Sequence, residues 1–258
     1  MINVTNALTV NNLSLTIAGK DILRDIGLSL GNGKIVALIG PNGSGKTSLL
    51  NCISGLNRDF SGAVNLLGED LKTLNQRRVA MKLAYLHQHM PAQLKLTVRQ
   101  VVELGLIPTL QPWSGISREQ TQAIDSAIDK VSLQSLSQRS FMTLSGGEKQ
   151  RALIAKTIVQ QPEILLMDEP TNHLDIKHQI DVLTLVKSLG LTTITCIHDV
   201  NLALAISDEI ICLHDGEIAF HKEIADISND DFSQVYAVDC HIDSEPFHNH
   251  PRLSIRWN

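Results

Sequence analysis

Residues 40–47 read GPNGSGKT, directly after the unbroken apolar run Ile35-Val36-Ala37-Leu38-Ile39. Five consecutive apolar residues suit a strand buried on both faces. The stretch that follows, KTSLLNCISGL at 46–56, reads as a helix. The pattern G-x-x-x-x-G-K-[S/T] is therefore met without departure, in the strand–loop–helix setting it requires. Glycines let a ring of backbone N–H groups close on phosphate oxygens, and a helix start favours an anion. The expected phosphate-binding residues are Gly40, Pro41, Asn42, Gly43, Ser44, Gly45, Lys46, Thr47 and Ser48. Lys46 is expected to reach the β- and γ-phosphates of a nucleotide, and Thr47 to hold Mg2+.

The rest of the chain supplies more strands of two kinds. Residues 7–17, ALTVNNLSLTI, alternate as a half-buried strand does, and so does DILRDIGLSL at 21–30. ILLMD at 164–168 and TTITCIH at 192–198 are read as two further buried strands, and EIICLHDGEIAF at 209–220 reads as a hairpin around Asp215-Gly216. The middle differs. Thr97-Val98-Arg99-Gln100 and Ser117-Arg118-Glu119-Gln120 both fit a capping box. Ile124, Ile128 and Val131 then fall on one helical stripe, so residues 90–143 are expected to be largely helical. The fold expected is an α/β core with an inserted helical lobe.

Several residues in these elements invite chemistry. Asp168 and Glu169 stand at the C-terminal end of an apolar strand, where open α/β sheets place their ligands. Asp168 suits Mg2+, and Glu169 is then free to polarise an attacking water. His198 closes another strand, either as a donor to a γ-phosphate or as a satisfied boundary histidine. Gln88 lies where the core meets the helical middle, placed to touch Mg2+ or the lytic water, though on its own it reads as a surface residue. His87 and His89 flank it and make a poor metal site. LSGGEKQ at 144–150 opens a helix that Pro162 stops. Its Ser145-Gly146-Gly147 entry is an N-cap with a flexible start, or a second anion grip. With only one P-loop in the chain, a second grip suggests that it serves the nucleotide of another copy.

Taken together, GPNGSGKT, Gln88, LSGGEKQ, ILLMDEP, NHLD at 172–175 and His198 resemble the ATP-binding subunits of ABC transporters, in order and spacing, over about residues 7–222. The resemblance implies an ATPase with ATP and Mg2+ as cofactors. It implies a P-loop NTPase core of the ABC ATPase type with an N-terminal antiparallel β subdomain and an inserted helical lobe. Residues 1–89 and 160–222 would form the core, about 90–159 the lobe with the LSGGEKQ segment, and about 223–258 a C-terminal tail. In that family two subunits meet head to tail. Ser145, Gly146 and Gly147, with Glu148 and Gln150, would then act on the partner's ATP. Asp175 would run across the seam, and Gln88 would be the hinge to a lobe that receives a helix from an integral membrane permease. A periplasmic or surface substrate-binding protein is implied indirectly. The segment TVRQVVELGLIPTLQPWSGISREQTQAIDSAIDKV and the tail VYAVDCHIDSEPFHNHPRLSIRW are similar to those of iron–siderophore, haem and cobalamin importers. A ferric siderophore is the cargo expected first, with haem or cobalamin as the alternative. The expected location is the cytoplasmic face of the bacterial inner membrane, as a peripheral subunit. One departure stands out: the aromatic that usually stacks on adenine is Ile17 here, in TIAGKDIL, unless Ile17 is a core residue of the first hairpin.

Composition and layout weigh against rival classes. A net charge of −5, a pI of about 6.0 and 3% aromatic residues argue against broad nucleic-acid binding. The N-terminus shows no signal-peptide pattern, and no apolar run approaches the ~18 residues of a membrane span. The four cysteines lack metal-ligand spacing and read as free thiols. Histidines His241, His248 and His250 read as solvated tail residues. A soluble, non-transport ABC ATPase is the less expected alternative, since those proteins usually carry two cassettes or a long coiled-coil insertion, and an exporter half would normally be fused to membrane spans.

Overall fold

The computed structural model describes residues 6–87, 95–111, 113, 115–172, 174–243 and 250–256. Gln88, His89 and His248 lie outside the described residues. In chain order the strands and helices are β1 (Asn6–Ile17), β2 (Lys20–Gly31), β3 (Ile35–Ile39), α1 (Lys46–Ile53), β4 (Ser61–Leu66), β5 (Glu69–Asp70), α2 (Gln76–Lys82) and β6 (Leu83–Leu86). Then come α3 (Val98–Glu103), α4 (Arg118–Lys130), α5 (Gly146–Gln160), β7 (Ile164–Asp168), α6 (Ile176–Ser188), β8 (Thr192–Cys196) and α7 (Val200–Ile206). The C-terminal region adds β9 (Glu209–His214), β10 (Glu217–Glu223), α8 (Asn229–Tyr236), β11 (Asp239–Asp243) and β12 (Arg252–Arg256).

Two principal sheets result. A four-stranded antiparallel sheet runs β2-β1-β4-β5. A six-stranded sheet runs β10-β9-β3-β8-β7-β6, parallel throughout except for the β9–β10 hairpin. The apolar runs seen in the sequence are its central strands, because successive side chains of one strand enter different cores. Val36, Leu38, Leu166, Ile194 and Cys196 pack toward α1 and the antiparallel sheet. Leu165 and Met167 turn the other way, into a core shared with α3, α4, α5 and α6. Ala37, Ile39, Ile210 and Cys212 join a third cluster with α7 and α8. The parallel strands thus end together, and the chain leaves β3, β6, β7 and β8 at one edge of the sheet.

Both capping boxes of the middle region form, at Thr97/Gln100 and Ser117/Gln120. Ile124, Ile128 and Val131 are buried on the expected face. The region is less helical than its pattern suggests, with irregular chain and short 3-10 turns between α3 and α4. Gly105 explains part of this: a Cβ there would lie 2.2 Å from the Lys156 carbonyl oxygen, so the chain presses directly on α5. Helix α1 is also shorter than expected, ending before Gly55, whose φ of 72° breaks it.

The C-terminal tail is structured where the sequence reading assigned no elements. Helix α8 buries Phe232 completely, and its ring meets Phe220 edge-on at 5.7 Å. Asn201 in α7 then pins β12 by donating to the Leu253 carbonyl and accepting from its N–H. His241 pairs with Asp243 at 3.1 Å. Among the described residues no cluster of His, Cys, Asp or Glu could hold a metal ion.

Candidate functional site

The loop between β3 and α1 is shaped by close approach. A Cβ at Gly40, φ 141°, would lie 2.0 Å from the Leu213 carbonyl oxygen in β9. Gly45 occupies the N-cap position of α1 at φ 105°, against the side chain of Leu23. Only glycine tolerates both the conformation and the contact. The loop is thereby wedged between the first hairpin and the β9–β10 turn, and the backbone N–H groups opening α1 are presented at the sheet edge. Lys46, 7% exposed, donates from Nζ to the carbonyls of Gly40 at 2.8 Å and Pro41 at 3.0 Å. Its ammonium therefore lies across the mouth of the loop. Thr47 is exposed in the first turn of α1, and the Ser44 hydroxyl is buried without a partner among the described residues.

Asp168 ends β7 and is nearly buried. Register pairs it with Cys196 at the end of β8. Burial pushes the Cys196 thiol far up, and the neighbouring Asp168 charge adds to this. Tyr85, from β6, places a buried hydroxyl on the same side, near Asp168. Burial, reinforced by Asp168, raises its ionisation well above the ordinary value. His87 follows β6 and lies on the Tyr85 ring, with centroids 3.8 Å apart. Burial lowers its pKa while Asp168 opposes that shift. Asp168 is thus a carboxylate among hydroxyl, thiol and imidazole groups at the ends of three adjacent strands. Asp168 and Thr47 are both hard oxygen donors, the chemistry that Mg2+ requires.

Glu169 is held differently. It takes a left-handed conformation, φ 51°, turning its side chain away from the line of β7. His198 Nε2 lies 2.5 Å from one carboxylate oxygen, and Asn172 donates to the other at 2.9 Å. Burial would raise its pKa, but His198, Asn172 and the charge of Lys46 outweigh burial and hold it below the usual carboxylate range. His198 itself lies two residues beyond β8, which ends at Cys196 rather than at the histidine. These groups line a small cavity of about 140 Å3 with Thr171, Gln179, Cys196 and Leu202.

The LSGGEKQ segment opens α5, with Ser145 as N-cap. Glu148 completes a capping box: its Oε2 accepts from the Ser145 N–H at 2.7 Å and hydroxyl at 2.8 Å. These bonds hold the Glu148 carboxyl below its ordinary pKa. The neighbouring helix α6 is capped by Asp175, whose Oδ1 accepts the His178 N–H at 2.9 Å. Ile17 is 48% exposed near the tip of the β1–β2 hairpin, paired with Lys20. It is therefore not a core residue of that hairpin. The Ile22 carbonyl of the same hairpin reaches to 3.0 Å from where a Cβ on Gly45 would stand, so the tip lies close to the phosphate loop.

The structure brings Lys46, Asp168, Glu169 and His198, all named from the sequence, to the ends of the parallel strands, and sets the LSGGEKQ helix start against α6. Sequence reasoning missed Asn172 as a partner of Glu169, although Asn172 lies within the quoted NHLD, and it missed Tyr85, Cys196 and His178. Strand register supplies Tyr85 and Cys196, and the α5–α6 packing supplies His178. Neither has a local sequence signal.

Comparisons with known proteins point the same way. The family described as ABC transporter matches residues 23–172. The achromobactin transport ATP-binding protein CbrD of Dickeya dadantii (strain 3937) is 37% identical over 254 residues, spanning 95% of this chain and 93% of that protein. The petrobactin import ATP-binding protein FpuC of Bacillus anthracis is 34% identical, with 96% and 94% covered. A solved metal-chelate type ABC transporter in an inward-facing conformation matches with a TM-score of 0.84 and 98% coverage of each chain; at 22% identity this is a likeness of fold alone.

Proposed function

The chain belongs to the ABC transporter family of ATP-binding proteins, and from that premise we propose that it energises import of a ferric siderophore through a membrane permease. It binds ATP and is an ATPase, as the ATP-binding import subunits of this family are. The observation that carries the catalytic reading is Glu169: an ionised carboxylate, turned out of β7, held by His198 and Asn172 beside Asp168 and Lys46. A carboxylate with a depressed pKa is a weak store for a proton. Its strength lies in accepting a hydrogen bond from water and fixing that water's direction toward a phosphorus atom.

The remaining roles follow from position. Gly40–Ser48 would cradle the phosphates, with Lys46 transferring its hydrogen bonds from the loop carbonyls to phosphate oxygens. Thr47 and Asp168 are the residues that would hold Mg2+, with Gln88 as the third group toward it. Mg2+ supplies neutralisation of charge on the phosphate oxygens. His198 would donate to the γ-phosphate while keeping Glu169 in place. Ile17 would lie against the base. Ser145, Gly146, Gly147 and Asp175 would meet the ATP of a second copy, in a head-to-tail homodimer. Residues 1–89 and 160–222 would act as the nucleotide-binding core and about 90–159 as the lobe that meets the permease. No helix among the described residues is long and apolar enough to cross a membrane, which fits a peripheral subunit at the cytoplasmic face of the membrane.

The cargo reading rests on the relatives. CbrD and FpuC are named for achromobactin and petrobactin, and the Bacillus subtilis protein FhuC, 33% identical over 95% of this chain, for iron(3+)-hydroxamate. Cobalamin import is named for a Halobacterium salinarum relative, BtuD, which shares 34% identity over 82% of this chain. Uptake of labelled ferric siderophore, haem and cobalamin into vesicles carrying the chain and its permease tests the proposal. ATP-driven siderophore uptake that Glu169→Gln abolishes, with ATP binding retained, is the expected result. Uptake of cobalamin or haem instead would overturn the cargo, and undiminished hydrolysis by Glu169→Gln would overturn the catalytic role.

A further inference from the structure

Gly146 and Gly147 have a reason to be glycine inside their own chain. A Cβ on Gly146 would lie 3.1 Å from Leu174 Cδ2, and one on Gly147 only 2.7 Å from Cδ2 of the His178 ring. Gly147 does not need a left-handed conformation, so the ring alone excludes a side chain there. The other edge of the same ring is held fast. Its Nδ1 lies 2.8 Å from both carboxylate oxygens of Asp175, and the His178 N–H donates to Oδ1. The imidazole therefore cannot swing off Gly147 without releasing Asp175. One side chain touches the first turn of α5 and the cap of α6 together.

We propose that His178 is a positioning residue that fixes the Ser145–Gly147 helix start relative to Asp175, so that both segments present to the partner's ATP as one unit. This rests on the reading that these segments act across a dimer seam. The pair is exposed, with His178 41% and Asp175 66% accessible, so it adds little to folding stability. Its effect is on geometry. A displacement near 1 Å at a site that contacts a reacting phosphate costs up to ~100-fold in rate. A shift shared over a helix turn is expected to cost about tenfold.

The test compares His178→Ala, His178→Asn, Gly147→Ala and the double variant Gly147→Ala/His178→Ala. Asparagine keeps an N–H donor near the place of Nδ1, so it retains the bond to Asp175 without a ring over Gly147. Expected for His178→Ala is a kcat about tenfold lower, with ATP affinity of the isolated subunit unchanged and a melting temperature within about 2 °C of the parent. His178→Asn, which lacks the ring over Gly147, should recover at most part of that rate, and Gly147→Ala should cost less activity in the His178→Ala background than alone. Parental kcat in His178→Ala, parental kcat in His178→Asn, or an identical cost of Gly147→Ala in both backgrounds would each overturn the proposal. The seam itself is checked separately by mixing Ser145→Arg with Lys46→Ala subunits, each inactive alone. Activity in the mixture establishes the trans arrangement, and its absence refutes that reading whatever the His178 variants do.

Discussion

Glu148→Gln should tighten the productive engagement of ATP. Ser145 gives both its N–H and its hydroxyl proton to the Glu148 carboxylate, at 2.7 and 2.8 Å. In the proposed mechanism the same hydroxyl must turn to a phosphate of the partner's nucleotide. A phosphate oxygen accepting that hydroxyl lies about 2.7 Å from Oγ, which puts two anions roughly 5 Å apart across one donor. Coulomb's law gives about 0.8 kcal/mol of repulsion at that distance in water and about 3 kcal/mol at an effective dielectric of 20. The carboxylate is only partly covered, so the low end applies, and about 1 kcal/mol corresponds to roughly a fivefold change in apparent affinity. Glutamine preserves the cap, because its amide oxygen still accepts the Ser145 N–H in a capping box. The loss of a negative charge at a helix start costs about 0.3–1 kcal/mol of helix stability, too little to unfold the chain. The measurement is the ATP concentration for half-maximal hydrolysis, at low and high salt, beside ATP binding to the isolated subunit. Half-saturation should fall about fivefold at low salt, the difference should shrink as salt screens the exposed charge, and binding to the isolated subunit should not change. A half-saturation that stays put or rises, or an equal change in the isolated subunit, would refute the argument.

Ile17→Tyr should tighten nucleotide binding by up to about tenfold, because a ring offers a base the stacking that an isoleucine cannot, worth roughly 1–3 kcal/mol; titration of ATP and GTP against both proteins decides it, and equal affinities would show that the base rests elsewhere. The docking of α8 should weaken in acid. Asp231 is partly desolvated, which raises its pKa, but the Lys222 ammonium and the Ser228 N–H and hydroxyl outweigh this and hold it below the ordinary value. A lowered folded pKa means stability that is complete above the unfolded pKa of about 3.9 and is lost as pH falls through the folded value. Asp231→Asn should therefore be less stable than the parent at neutral pH, and the gap should close below about pH 4; a gap that persists to pH 2 would show that the charge is not what holds the helix.

What the sequence determined by itself was local. GPNGSGKT after an apolar strand dictates a phosphate loop, because glycine is the only residue that permits those backbone angles. The two capping boxes were legible from four-residue patterns, since each satisfies its own helix's free N–H groups without help from elsewhere. The apolar runs marked the central parallel strands, because a strand buried on both faces is dominated by apolar residues, although β8 also buries Thr192, Thr193 and Thr195. Whatever depends on which strands lie side by side was invisible. Tyr85, Asp168 and Cys196 are far apart in the chain and become neighbours only through the order β6-β7-β8. Glu169 looked like a free base and proved to be tied to His198 and Asn172, one contact crossing between strands and the other crossing a turn. The reason for Gly147 likewise lies outside its own helix: the α6 backbone brings the His178 ring against it, and no local pattern encodes how two helix starts are packed. Local backbone chemistry is set by neighbours in sequence. The proximity of charged and ring groups is set by sheet order and helix packing, which are properties of the whole chain.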